Sequence, residues 1–417
     1  IRNTAMGYNA LNANISGFEN TAYGYEAAGL TTNTSVSAFG YQALANNIIS
    51  ANSAFGADAL VVNTAGTGLA AFGYRALASN TTGSNNAAFG FQALLSNTTG
   101  SNNAAFGSGA LIANTRGSNN TAFGTNTLSS NTTGIHNTAI GVNAMSNGVE
   151  GMFNICIGNS SGFRTTGSNN VAIGYTALIT NTTGSGNTCV GSETLNLMVT
   201  GNDNAAFGNR ALASTTVGLS AAFGSYSLSA NTTGTGNNAF GYFALGGNTI
   251  GTGNSAFGYQ ALISNTTGSQ NSAFGYLALA SNTTGVNNSA FGFQALASNT
   301  TAFENSAFGY FALSFNTTGV SNSAFGMRAL ASNSTGQNNS AFGCRSMASN
   351  TTGVNNAAYG YQSMMKNITG YHNSAFGSFA LFENTTGIQN ASFGYNSLVT
   401  CTGGIRNAAF GAYAGYN

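Results

Sequence analysis

Apolar and polar positions alternate along this chain in a pattern that returns every 17 residues. The unit is clearest at residues 254–270, NSAFGYQALISNTTGSQ, which begins again at Asn271 as NSAFGYLALASNTTGVN and at Asn288 as NSAFGFQALASNTTAFE. Its marker is one apolar residue followed by Gly. That pair occurs at 25 anchors from Met6 to Phe410, 18 of them Phe, at intervals of 17 residues except for four of 16. Five residues past the anchor stands Leu in 19 of the 25 units and Met in three more. Eight residues past it, most units place the Asn of an NTTG segment.

A short fixed period means one supersecondary unit per repeat, stacked on its neighbours. A helix pair would not tolerate Gly and Thr-Thr-Gly in every unit. Short strands with Gly-rich corners fit: Ser-Ala-Phe as one strand, Ala-Leu-x-Ser as a second, Asn-Thr-Thr-Gly as a turn. The absence of Pro agrees, because each coil's backbone donors must reach the next coil. The pattern therefore predicts an all-β fold, a single parallel β-solenoid of about 24 coils with a 16–17-residue repeat. With sheet spacing of roughly 4.8 Å the coils would span on the order of 115 Å. No linker interrupts residues 1–417, which read as one repeat domain without a capping domain.

Stacked coils align equal positions in columns. The Phe and Leu columns are expected to form the core, being large, apolar and nearly constant. The column three residues past the anchor (Gln42, Gln92, Gln260, Gln294, Gln362, with Glu26, Asp58, Arg75, Glu193, Arg210, Arg328 and Arg345) is expected to face water. Residues 148–165 lose the NTTG segment and carry Glu150 and Arg164, which points to a local irregularity.

Composition narrows the function. Charged residues make up 4 % of the chain, against about 25 % in an average soluble protein, and the net charge is +1. Scattered basic residues offer nothing to a phosphate backbone, so nucleic acid is not an expected partner. Gly, Asn or Thr breaks every apolar run well short of the ~18 residues of a membrane helix. A surface so poor in charge is unusual in the cytosol and points to an extracellular location or a cell or virion surface. The eight carboxylates form no paired-acid or Ser/His/Asp arrangement, so no enzyme, cofactor or catalytic residue is expected. His136 and His372 lie fourteen coils apart and cannot share a metal. Cys156 and Cys189 sit two coils apart, about 9.6 Å at the sheet spacing, too far for a disulfide; with Cys344 and Cys401 they read as free thiols.

Two columns carry sharper signals. Asn80, Asn97, Asn131, Asn181, Asn231, Asn265, Asn282, Asn299, Asn316, Asn333, Asn350, Asn367 and Asn384 each satisfy N-x-[ST]. Either they form a ladder of N-glycans on exposed turns, or the turn is chosen for its geometry, with stacked amides bonding between coils. Two residues past the anchor, Tyr242, Tyr259, Tyr276 and Tyr310 belong to an aromatic stripe suited to contact with another chain, to stacking on sugars, or to packing at a corner of the coil. The threonines sit beside Gly in turns, which does not suit the flat threonine face of an ice binder.

The segments NSAFGYQAL, NNAAFGFQAL and NNVAIGYTAL resemble the NSVAIG-type repeat of YadA-like heads in trimeric autotransporter adhesins. The NTTG segments are similar to repeats in phage tail-fibre proteins. The resemblance implies a left-handed β-roll, usually trimeric, acting as an adhesin or fibre shaft. This chain differs in its 17-residue coil and in Phe at the usual Ile position. Residues 2–11 and 407–415 read as ordinary coils, whose open edges would favour end-to-end joining. The expectation is a structural subunit of a surface fibre that associates with copies of itself. The alternative is an adhesin or tail-fibre shaft that binds carbohydrate or a receptor.

Overall fold

The computed structural model describes residues 2–415. It is an all-β parallel solenoid with 16–17 residues per coil, and no helix occurs among the described residues. Every coil contributes one three-residue strand. Contacts divide the chain into two compact units, Ile1–Asn209 and Arg210–Asn417. The first holds thirteen strands, from β1 (Thr4–Met6) to β13 (Ala205–Phe207). The second holds twelve, from β14 (Ala221–Phe223) to β25 (Ala408–Phe410).

Within each unit every strand pairs in parallel with the strand of the next coil, column on column: Ser255↔Ser272, Ala256↔Ala273, Phe257↔Phe274. The 16-residue coils keep this register, as in Ile155↔Val171 and Ile157↔Ile173. The irregular segment 148–165 is therefore accommodated without a slip in strand pairing. Hydrogen bonding between coils also runs beyond the strand. The amides of Leu262, Ser264 and Thr266 donate to Ala278, Ala280 and Thr283 carbonyls at 3.0, 3.1 and 2.9 Å. A proline in any of these columns would delete a rung.

Ala-Leu-x-Ser does not form the second strand expected of it. Gln260 and Leu262 adopt left-handed backbone angles, φ 54° and 53°, and the same two columns do so throughout. Two left-handed residues flanking Ala261 wind the chain into a turn, where an extended segment was expected. Left-handed Leu costs roughly 1–2 kcal/mol. Complete burial of its side chain, worth roughly 1.5–3 kcal/mol, offsets that cost.

The core also differs from expectation. Strand side chains alternate sides, and the middle residue of Ser-Ala-Phe is the one that points inward. Ala256, Ala261 and Leu262 are fully buried, whereas Phe257 is only half-buried. The phenylalanine column therefore lies on the outer side of the strand. The Leu column is interior as expected. A cross-section closed by about 17 residues leaves room for alanine facing leucine, with no space for a ring beside them.

Candidate functional site

The interior is completed by two asparagine columns. Asn265 donates through Nδ2 to Asn248 Oδ1 at 2.7 Å and to the Gly268 carbonyl at 2.9 Å. Its own Oδ1 accepts from Asn282 Nδ2 at 2.9 Å. Asn254, three residues before its anchor, reaches the same Gly268 carbonyl at 2.8 Å. Its Oδ1 takes both the amide and the Nδ2 of Asn271, at 3.0 and 3.2 Å. Side-chain amides thus run through the coil centre as two hydrogen-bonded ladders. Buried amides are costly unless paired, and here each rung is supplied by the next coil.

The thirteen candidate glycosylation residues fall in the first of these ladders. Asn80, Asn97, Asn131, Asn181, Asn231, Asn265, Asn282, Asn299, Asn316, Asn333, Asn350, Asn367 and Asn384 are all 0 % exposed. A glycan would attach at Nδ2, the atom that donates inside the coil, for example in Asn97, Asn333 and Asn350. The folded coil has no room for a sugar there. The glycan ladder is corrected to an internal amide ladder: the asparagine opens an NTTG turn, but its side chain points inward.

Breaks in the ladder follow the same logic. Asn131, Asn181 and Asn384 each have an Oδ1 without a hydrogen-bond partner. The positions that would supply the missing Nδ2 one coil later are Gly148, Met198 and Cys401. Each orphan carbonyl marks a coil in which the repeat lost its asparagine.

Glycine dominates two columns. Gly258 has φ +139°, and a Cβ there would lie 2.4 Å from the Gly275 carbonyl oxygen. A Cβ on Gly268 would meet Asn265 Oδ1 and the Gly285 carbonyl, each at 2.4 Å. Successive coils approach closely through both columns; the first holds Gly in all 25 coils, whereas the second admits a buried Ala at Ala302.

The outer side carries the aromatic residues. In the second unit twelve rings, Phe223 to Phe410, stack in an unbroken column with centroids 4.5–5.1 Å apart and planes within 7°. Beside it Tyr242, Tyr259, Tyr276, Phe293 and Tyr310 form a second stack at 5.1–5.6 Å. These five are 39–47 % exposed. The four tyrosines named from the sequence are thus brought into one continuous exposed face. The first unit has a shorter ring column, Tyr23 to Phe123, followed by Ile140, Ile157, Ile173 and Val190. There Glu26 beside Tyr25 raises the phenol above its usual range.

The remaining candidates are dispersed. His136 is exposed and stacks on Phe153 at 4.9 Å. All four cysteines are free thiols. Burial pushes the Cys156 thiol far up and the Cys189 thiol up to about 12, the latter eased by a hydrogen bond with Thr194. Cys156 occupies an alanine column, and Gly162 stands at the leucine position of the same coil; a Cβ on that glycine would lie 2.4 Å from the sulfur. The larger residue is accommodated by loss of its neighbour. No group of three or more metal-ligating side chains occurs among the described residues, and no helix there is long and apolar enough to cross a membrane. A scan against protein-family models matches none, and a search of curated proteins returns no match.

Proposed function

We propose that this protein is a structural shaft of an extracellular or surface fibre, and that copies associate side by side through the outer aromatic face. The observation that carries the reading is the paired Phe and Tyr stacks of the second unit. An aromatic side chain offers roughly 150–250 Å². At the observed exposures, five coils present on the order of 600–700 Å² of ring surface from the two stacks together. A specific interface needs about 800 Å² per partner; five coils fall short of that, and the ring column's seven further coils in the second unit supply the rest. A second copy repeats at the same coil spacing and can keep its rings in step with these over many coils, which a non-periodic partner cannot. The interior supports the same reading, since its amides and methyls are consumed in holding coil to coil. The motif resemblance to adhesin and tail-fibre repeats agrees with a shaft.

Sedimentation velocity across a concentration series, with electron microscopy of the same samples, tests this. The variant replaces Tyr242, Tyr259, Tyr276 and Tyr310 with Ser, which already occupies that column at Ser108, Ser192, Ser225 and Ser378. The native chain should associate laterally and the variant should not, with unchanged circular dichroism. Native protein that stays unassociated at every concentration would overturn the proposal. Binding of neutral glycans lost in the same variant would instead favour the carbohydrate-binding shaft.

A further inference from the structure

One short stretch of the second unit departs from the repeat in several columns at once, and the departures meet in space. Three residues past the anchor, successive coils carry Phe311, Arg328 and Arg345, where Gln is common elsewhere. Seven past the anchor, Phe315 precedes Ser332 and Ser349. Six past it, Ala331 and Ala348 are followed by Met365. Small residues over two coils are thus flanked by large ones on either side, leaving a notch roughly 10 Å long along the axis. The resulting cavity, of about 490 Å³, is lined by Phe311, Phe315, Met365 and both arginines. That volume lies within the ~300–1,000 Å³ usual for small-ligand sites.

The charges in this notch are not matched by the protein. Like charges stacked in adjacent coils repel, and the chain has only nine basic residues to place. Elsewhere in the same column Asp58 precedes Arg75, and Glu26 accepts a hydrogen bond from Gln42 at 2.8 Å. Among the described residues neither Arg328 nor Arg345 has a carboxylate partner, while nearby Lys366 is neutralised by Glu383 at 2.7 Å. Two guanidiniums one coil apart offer several N–H donors to a single anion. Phe315, 60 % exposed, leaves an aromatic ring open to solvent at the end of the notch.

We propose that this notch binds a ring-bearing carboxylate, its anion held by Arg328 and Arg345 and its ring packed against Phe311 and Phe315. The site does not depend on the fibre reading: Phe311 packs edge-on against Tyr310 and Phe293 of the tyrosine stack at 4.5 and 5.5 Å, but the arginines and Phe315 that test the site lie in other columns. Two sources share the chemistry, an aromatic acid and an acidic sugar, and they differ in what the ring contributes.

The test is titration calorimetry on the full chain with benzoate, glucuronate, and the neutral analogues benzamide and glucose. Arg328→Gln/Arg345→Gln and Phe315→Ser put in residues the same columns already carry at Gln260 and Ser264, so both variants should fold. At least one acid should bind at a single site, and its neutral analogue about tenfold to a hundredfold more weakly. The double arginine variant should lose that difference. Phe315→Ser should weaken benzoate more than glucuronate. Benzoate binding alone assigns an aromatic acid, and glucuronate binding alone assigns an acidic sugar. Failure of both acids to bind, equal binding of charged and neutral ligands, or binding indifferent to the arginines would each overturn the proposal.

Discussion

The coils from β16 (Ser255–Phe257) to β23 (Ser374–Phe376) and those from β9 (Thr138–Ile140) to β12 (Thr188–Val190) show what the repeat requires and what it does not. In the first stretch both ladders are complete: the ring column is unbroken and the asparagines bond coil after coil. In the second the rings give way to Ile and Val, and the inner asparagine is replaced by Gly148, Thr165 and Met198. Yet strand register is the same in both, with three aligned pairs per junction. What the two share is the glycine after the anchor, the small inward residue of the strand, and the backbone bonds between coils. Those features hold the coil. The aromatic columns can be lost without disturbing it, which leaves them available for contact with other molecules.

The largest effect should come from the shared glycine column. Gly275→Ala and Gly158→Ala each place a methyl 2.3–2.4 Å from the next coil's carbonyl oxygen at strongly positive φ. Each should cost on the order of 3 kcal/mol or more in denaturant unfolding, in both stretches alike. A mild effect in either would mean that the coils have slack between them. Leu262→Ala should cost about 2–5 kcal/mol, since the side chain is fully buried.

Next come the amides. Asn282→Ala removes the donor to Asn265 Oδ1 and leaves that buried oxygen unpaired, at an expected cost of roughly 1–3 kcal/mol. The reverse repair is Cys401→Asn, which supplies a donor to the orphan Oδ1 of Asn384 and should stabilise by about 1 kcal/mol. Thermal unfolding of the two variants side by side would show whether the ladder is energetic or merely geometric.

The buried thiols separate the two stretches by pH. Cys156 and Cys189 have folded-state pKa values raised above the ordinary 9.0, so the folded state holds its protons more tightly than the unfolded chain. Stability is therefore unaffected below about pH 9. Above it, stability should fall by roughly 1.4 kcal/mol per pH unit per thiol until the folded pKa is reached, about 12 for Cys189. Cys156→Ala/Cys189→Ala should flatten that decline. In native protein a maleimide should label the half-buried Cys344 and Cys401 and spare the other two.

The repeat, its register and its parallel solenoid were legible because a fixed spacing leaves few alternatives. Sidedness was not. Hydrophobicity alone put Phe257 inside, but a single-strand coil has little interior, and the near-constant Ala256 column was the signal that small residues fill it. The asparagines were left between glycan sites and stacked amides because an N-x-[ST] motif looks the same whether its amide points out or in. That two asparagine columns straddle one recurrent glycine, as Asn254 and Asn265 straddle the Gly268 carbonyl, was the clue that favoured the amide ladder. Left-handed leucine had no clue at all, since the residue ordinarily avoids that conformation. The exposed tyrosine stripe was legible because its polar neighbour in the next column was expected to face water, although the structure leaves most of that column, Gln260 included, half-buried.

The claim that small residues face inward and rings outward is tested most directly by one paired measurement, the unfolding free energies of Phe123→Ile and Ala122→Leu. Phe123 ends a ring column, stacked on Phe106 with Ile140 in the next coil, so Phe123→Ile copies what that coil already carries and should cost at most about 1.5 kcal/mol for the one lost stacked pair. Ala122→Leu forces a larger side chain into a fully buried position and should cost more, about 1–3 kcal/mol or complete loss of folding. The opposite order, with the Phe variant severely destabilised and the Ala variant tolerated, would contradict the account.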